Sequence, residues 1–170
     1  MKNLIIIPAF NEQECIKDTV EMIKRKAPDF DYVVINDHST DNTLNILKQN
    51  KINYINLPAN LGIGGAVQTG YLYAYENGYD TAVQVDADGQ HDPKYLSMML
   101  DTMKKENADM IIGSRFIENK GFQSTFARRI GITYFTKLIH MLTGTTITDP
   151  TSGLRMGNRK VIELLSLIHI

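Results

Sequence analysis

Two aspartates one residue apart, Asp86 and Asp88, offer the most specific chemistry in this chain. Residues i and i+2 of an extended backbone project to the same side, so both carboxylates can grip one hard cation, with Gln90 as a further oxygen ligand. Such oxygen donors suit Mg²⁺ or Mn²⁺, which bind through a few carboxylates together with substrate phosphates. Asp88-Gly89 is also an ordinary turn signal, and an acidic turn is the bland reading of the same residues. Asp37 precedes Ser39-Thr40-Asp41. Ser39 or Asp41 reads as a helix cap, which leaves Asp37 to accept hydrogen bonds from a base or ribose. Gly62-Ile63-Gly64-Gly65 opens a helix, where glycines either let backbone amides approach phosphates or let the helix pack closely. It lacks the Lys-Ser or Lys-Thr pair of a triphosphate loop and does not follow the first strand as a dinucleotide fingerprint does.

These residues need elements to position them, and the hydrophobic pattern supplies them. Lys2 to Pro8 is an aliphatic run of the kind buried on both faces of a sheet. Further strands are expected at Tyr32 to Asn36, Ile52 to Leu57, Thr81 to Val85 and Met110 to Ile112. Helices are expected between them: one capped by Asn11 with Ile16, Val20 and Ile23 inward, then Asp41 to Asn50, Gly62 to Asn77 and Pro93 to about Glu106. Strands alternating with helices at this spacing indicate an α/β fold with a mostly parallel sheet and flanking helices. Ligands of such sheets bind beyond the carboxyl ends of the strands. There the polar residues collect: Pro8-Ala9-Phe10-Asn11-Glu12, Asn36-Asp37-His38-Ser39, Asn60-Leu61-Gly62, Asp86 to Gln90, and Gly113-Ser114-Arg115.

Composition narrows the class. The 170 residues are 43% hydrophobic and 22% charged, ordinary for one globular domain. A net charge of -1 gives no basic excess of the kind nucleic-acid binders carry. Cys15 is the single cysteine, so no disulfide framework or thiolate metal site arises, and a reducing cytoplasmic setting is expected. His38, His91, His140 and His169 show no ligand spacing. Tyr71, Tyr73 and Tyr75 read as helix packing. No run reaches the roughly 20 apolar residues of a membrane span. After Gly113 the regularity fails, until a long helix from about Phe126 to Leu142. Arg128 and Arg129 open that helix ahead of an apolar stripe, which suits either an anionic lipid headgroup at a membrane surface or an ordinary solvated face. Asn158 to Ile170 reads as an amphipathic helix without stop signals: either a terminal helix packed on the core or, as expected here, a sign that residues 1–170 form one domain that is incomplete at its C-terminal side. Apolar surface awaiting that portion would favour self-association into a homo-oligomer.

Taken in order, Pro8-Ala9-Phe10-Asn11-Glu12, Asn36 to Asp41, Asn60-Leu61-Gly62, Asp86 to Pro93, Gly113-Ser114-Arg115 and Asp149-Pro150-Thr151-Ser152-Gly153-Leu154-Arg155 resemble the motif set of the family 2 glycosyltransferases, nearest the branch of dolichyl- and polyprenyl-phosphate sugar transferases. The resemblance implies a GT-A fold, a UDP- or GDP-linked sugar as donor and inversion at the anomeric carbon. It implies that Pro8, Ala9, Glu12, Asp37, Asn60, Gly62 and Asp86 hold the donor, and that Asp86, Asp88 and Gln90 hold Mg²⁺ or Mn²⁺. Arg115 would bind a phosphate, and Asp149 and Arg155 would lie near the reacting centre. A polyprenyl phosphate acceptor would place the chain at the inner face of a membrane. Two other readings stay open: an aspartyl phosphatase, which Asp86-Ala87-Asp88-Gly89 superficially resembles, and a non-catalytic nucleotide-sugar-binding fragment.

Overall fold

The computed structural model of the chain describes residues 1–89, 92–113, 136–138, 140–142, 144 and 152–167. Its strands are β1 (Asn3–Ala9), β2 (Asp31–Asn36), β3 (Tyr54–Asn56), β4 (Thr81–Gln84), β5 (Met110–Ile112) and β6 (Arg155–Asn158). Its helices are α1 (Ile16–Lys26), α2 (Thr43–Gln49), α3 (Gly62–Glu76), α4 (Tyr95–Lys105) and α5 (Arg159–Leu167). Residues 136–138 and 140–142 are also helical. Chain packing divides the protein into two compact units, residues 1–111 with 155–170, and residues 112–154.

All seven residues of β1 are buried, as its aliphatic composition requires of a central strand. It pairs in parallel with β2 on one side, from Leu4 opposite Asp31 to Ala9 opposite Asn36. On the other side it pairs in parallel with β4, from Asn3 opposite Thr81 to Ile6 opposite Gln84. The sheet order is β3-β2-β1-β4-β6-β5. The chain therefore winds outward from β1 through β2 and β3, then crosses back to β4, and the strand order reverses between β1 and β4. A crevice at such a reversal is where open α/β sheets bind ligands.

Side chains alternate across β1. Leu4 and Ile6 join Val33, Ile35 and Ala82 in a core closed by Ala66, Tyr71 and Ala74 of α3 and Ile162 of α5. The opposite residues Ile5, Ile7 and Val34 are equally buried. Helix α1 turns Ile16, Thr19, Val20 and Ile23 inward, the three-to-four spacing of an amphipathic helix, and ends on Lys24, Arg25 and Lys26 where cations favour the helix terminus.

Three expectations need correction. Asn11 does not cap α1, which begins at Ile16; Asn11 sits at φ 56° and its side chain is committed to the loop after β2. The sheet also contains a strand absent from the sequence reading, β6, which runs antiparallel to β4 with Met156 opposite Val83. Asn158 ends that strand and caps α5, its Oδ1 accepting from the Lys160 and Val161 amides at 3.0 and 3.3 Å. The strand expected at Ile52 to Leu57 is shorter: β3 covers Tyr54–Asn56, paired with Val34 to Asn36 of β2.

Candidate functional site

The carboxyl ends of β1 to β4 open onto a cavity of about 490 Å³ within the first compact unit. The β1 end supplies Pro8, Ala9, Phe10 and Glu12; the β2 end supplies Asp37; Asn60, Gly62, Ile63 and Ala66 come from the β3 loop and α3; Asp86, Ala87 and Asp88 follow β4.

Register explains why these ends meet. Ala9 and Asn36 are paired partners, and the Asp37 amide donates to the Ala9 carbonyl at 2.9 Å. Asp37 is only 3% exposed, and it is the one charged side chain among the described residues that is buried. Its Oδ1 accepts from the Leu61 amide at 2.7 Å. One oxygen of Asp37 already fixes the β3 loop, because a buried carboxylate needs donors. The same bond places Asn60 and Gly62 at the cavity.

The loops after β1 and β2 are locked together. Asn11 donates its amide to Ser39 Oγ at 3.0 Å and accepts at Oδ1 from the Thr40 amide at 2.9 Å and the Asp41 amide at 3.3 Å. The Glu12 amide donates to Thr43 Oγ1 at 2.9 Å, and the Gln13 amide to Asp41 Oδ2 at 3.2 Å. Asp41 Oδ1 accepts from the Thr43 amide at 2.9 Å at the start of α2, close to the capping role expected of it. Burial pushes the Asp41 carboxyl up, but the Thr43 and Gln13 hydrogen bonds outweigh this and hold it below its usual value. Asn11 and His38 both adopt φ 56°, a left-handed conformation that asparagine and histidine tolerate better than most residues.

The turn carrying the two aspartates is held from α1. Thr19 Oγ1 donates to the Ala87 carbonyl at 2.8 Å, and Gly89 completes the turn at φ +73°. Gln84 Nε2 donates to Asp86 Oδ1 at 3.1 Å. Farther along, Asp92 pairs with Lys26 of α1 at 3.0 Å and with Lys94 at 3.3 Å. Sequence reasoning missed Thr19, because a threonine inside an amphipathic helix carries no signal of a partner 68 residues away.

The cavity is negative. Burial raises the Glu12 carboxyl above its ordinary value, and the charges of Asp88, Asp41 and Asp86 raise it further. Among the described residues no group of three or more histidine, cysteine, aspartate or glutamate side chains stands close enough to hold a metal ion. Two cavity-lining carboxylates in a negative field nevertheless fit a hard cation that completes its shell with a ligand's own phosphates.

Eight of the expected residues therefore line one cavity: Pro8, Ala9, Glu12, Asp37, Asn60, Gly62, Asp86 and Asp88. Gln90, Arg115 and Asp149 lie outside the described residues, as do Arg128 and Arg129. Arg155 is on β6 opposite Gln84 and is not among the cavity-lining residues. The glycine run divides its roles: Gly62 lines the cavity at φ +74°, whereas a Cβ on Gly65 would stand 2.5 Å from Leu61 Cβ. Phe10 and Ile63 join the lining although sequence reasoning gave them no role; they are 46% and 64% exposed, which marks them as apolar side chains left open at the cavity.

Residues 4–165 match the family model described as Glycosyl transferase family 2. A UDP-N-acetylglucosamine--dolichyl-phosphate N-acetylglucosaminyltransferase of Methanococcus voltae is 32% identical over 180 residues, covering 95% of this chain and 71% of that protein. A polyprenol monophosphomannose synthase of Mycolicibacterium smegmatis is 30% identical, covering 98% of this chain and 65% of that protein. Among solved structures, glucosyl-3-phosphoglycerate synthase from Mycobacterium tuberculosis in complex with Mn²⁺, UDP and glucosyl-3-phosphoglycerate shares the fold, with a TM-score of 0.70 at 19% identity over 94% of this chain and 57% of that one. S. aureus TarS 1-349 does so with a TM-score of 0.65 at 17% identity over 96% of this chain and 48% of that one. The chain thus spans about half the length of these solved chains.

Proposed function

This chain belongs to glycosyl transferase family 2, and on that premise we propose that it transfers a sugar from a nucleoside-diphosphate sugar to a polyprenyl phosphate, inverting the anomeric carbon. The observation that carries the reading is the meeting of Asp86 and Asp88 with Asp37, Asn60 and Gly62 around one cavity at the sheet's reversal point. Similar proteins named for dolichyl- and polyprenol-phosphate chemistry support the acceptor, and a fold neighbour titled as holding UDP with Mn²⁺ supports the donor.

The chain's residues divide the work. Asp37 and the β3 loop that it fixes hold the nucleoside, while Phe10 and Ile63 supply apolar walls for a planar base. Asp86 and Asp88 hold the divalent cation, which offsets the charge that builds on the leaving diphosphate. An acceptor oxygen attacks the anomeric carbon as the bond to the diphosphate breaks, and the nucleoside diphosphate leaves with the bonding electron pair. A lipid phosphate, whose second pKa is about 6, attacks as an anion and needs positioning rather than deprotonation. A sugar hydroxyl would have to surrender its proton, to the Asp149 carboxylate by the family resemblance. The phosphatase alternative has no support in this arrangement, since its acidic motif follows a first strand, whereas Asp86 and Asp88 follow β4.

Calorimetric titration of UDP and GDP, each with and without Mn²⁺, tests the donor site. One nucleotide should bind, Mn²⁺ should tighten it, and Asp88→Asn should remove at least about tenfold of that tightening. Undiminished Mn²⁺ dependence in Asp88→Asn would refute the role given to this carboxylate. Donor turnover supported by polyprenyl phosphate, measured alongside, separates a transferase from a module that only binds.

A further inference from the structure

We infer that Thr19, on α1 and outside the cavity lining, is a positioning residue that sets the geometry of the Asp86-Ala87-Asp88 turn for a divalent cation; this rests on the function proposed above. The turn lies at the end of β4, where the ladder to β1 finishes with the Val85 amide donating to the Ile6 carbonyl at 3.0 Å. Past that point the described residues give the turn no strand pairing, yet on the proposed function its two carboxylates must converge on one ion. A contact from outside the sheet reaches the turn there: the Thr19 hydroxyl donates to the carbonyl of Ala87, the residue between the two acids, at 2.8 Å.

Both partners are closed to water: Thr19 is 3% exposed and Ala87 2%. A buried carbonyl bonded to a single side-chain donor holds its peptide plane in one orientation, since rotation would leave the oxygen unsatisfied. The Ala87 carbonyl lies in the peptide plane shared with Asp88, so fixing it constrains the backbone from which the Asp88 carboxylate projects, while Gln84 Nε2 holds Asp86 Oδ1 at 3.1 Å. Gly89, at φ +73°, completes the turn beside Thr19, and a Cβ there would meet Thr19 Oγ1 at an ordinary contact distance of 3.6 Å. Val20 and Ile23 anchor α1 in the core beside it, so the hydroxyl is presented from a rigid element.

The test compares side chains that differ in the hydroxyl: Thr19→Val against the unaltered chain, and Thr19→Ala against Thr19→Ser. The measurement is the factor by which Mn²⁺ tightens binding of the nucleoside diphosphate, with metal-free nucleotide affinity and thermal midpoint recorded for each variant. Removing the hydroxyl should cut the Mn²⁺ enhancement about tenfold while metal-free affinity stays within about twofold, and Thr19→Ser should keep the enhancement. A merely structural role would lower the thermal midpoint and weaken both kinds of binding in parallel. If Thr19→Val does not fold, the Ala and Ser pair decides, and Mn²⁺ paramagnetic resonance on the folded members reads the ion directly. Enhancement that is equal with and without the hydroxyl overturns the inference alone. Absence of any Mn²⁺ enhancement in the unaltered chain overturns the metal reading, and this inference with it.

Discussion

Glu12 shows how a single side chain reports the field of the site. Its carboxyl is raised by burial first, then by Asp88, Asp41 and Asp86, so the fold favours its protonated form. A group whose folded pKa lies above its unfolded value stabilises the fold fully below the unfolded value, here the ordinary 4.5, and that contribution is lost as pH rises through the folded value. At neutral pH, above the ordinary value, Glu12 is therefore a net burden on the ligand-free chain. Glu12→Gln should raise the thermal midpoint at pH 7, with the difference shrinking toward zero as the pH falls below the carboxylate range. A melting series across pH 3.5 to 7.5 checks this, and a lower midpoint for the variant at pH 7 would contradict the electrostatic account. The same cluster shows the reach of sequence at this scale. Asp86 and Asp88 were legible because their spacing on a strand end is itself the chemistry. The Leu61 amide on Asp37 was not, since 24 residues separate donor and acceptor and only folding brings them to 2.7 Å.

At the scale of elements, α3 must lie close on β1 for the β3 loop to reach the cavity. Gly70 permits this: a Cβ there would stand 2.2 Å from Cγ2 of Ile6, a fully buried residue of the central strand. Gly70→Ala gains about 1 kcal/mol in helix propensity. It also forces an overpacked contact that costs about 1–3 kcal/mol and displaces α3 from the sheet. Net destabilisation in urea is expected, together with weaker nucleotide binding because Gly62 and Ile63 begin the same helix. Stability equal to or above that of the unaltered chain would contradict the close packing of Gly70 on Ile6. Most elements were readable in advance because β1, β2 and β4 are aliphatic runs that end abruptly in polar residues. β6 was not, because Arg155-Met156-Gly157-Asn158 has one large apolar residue and no alternation of its own. It becomes a strand through its neighbours: β4 supplies the ladder, and Gly157 leaves room where a Cβ would meet Val161 at 2.4 Å. Tertiary context of this kind overrides local preference.

For the whole molecule, the division into two compact units separates the roles assigned by geometry from those assigned by resemblance. Among the described residues every one that lines the cavity falls in the first unit, whereas the sequence positions Arg115 and Asp149 fall in the second. The ends of the second unit are joined to each other: the Gly113 amide donates to the Leu154 carbonyl at 2.8 Å, and Ser152 Oγ donates to the Gly113 carbonyl at 2.6 Å. Replacing residues 114–151 with a short glycine-rich turn therefore closes a gap whose two sides are already bonded, and loop length adds little entropic cost. Such a variant should bind the nucleoside diphosphate with an affinity within about threefold of the intact chain's, a difference under ~1 kcal/mol. Its sugar transfer should fall by at least about 100-fold, the scale on which a positioned base or charged group acts in a displacement. Calorimetry on the variant reads the first quantity and donor turnover the second. Lost nucleotide binding in a folded variant would mean that the donor site draws on the second unit, and retained transfer would remove Arg115 and Asp149 from the reaction.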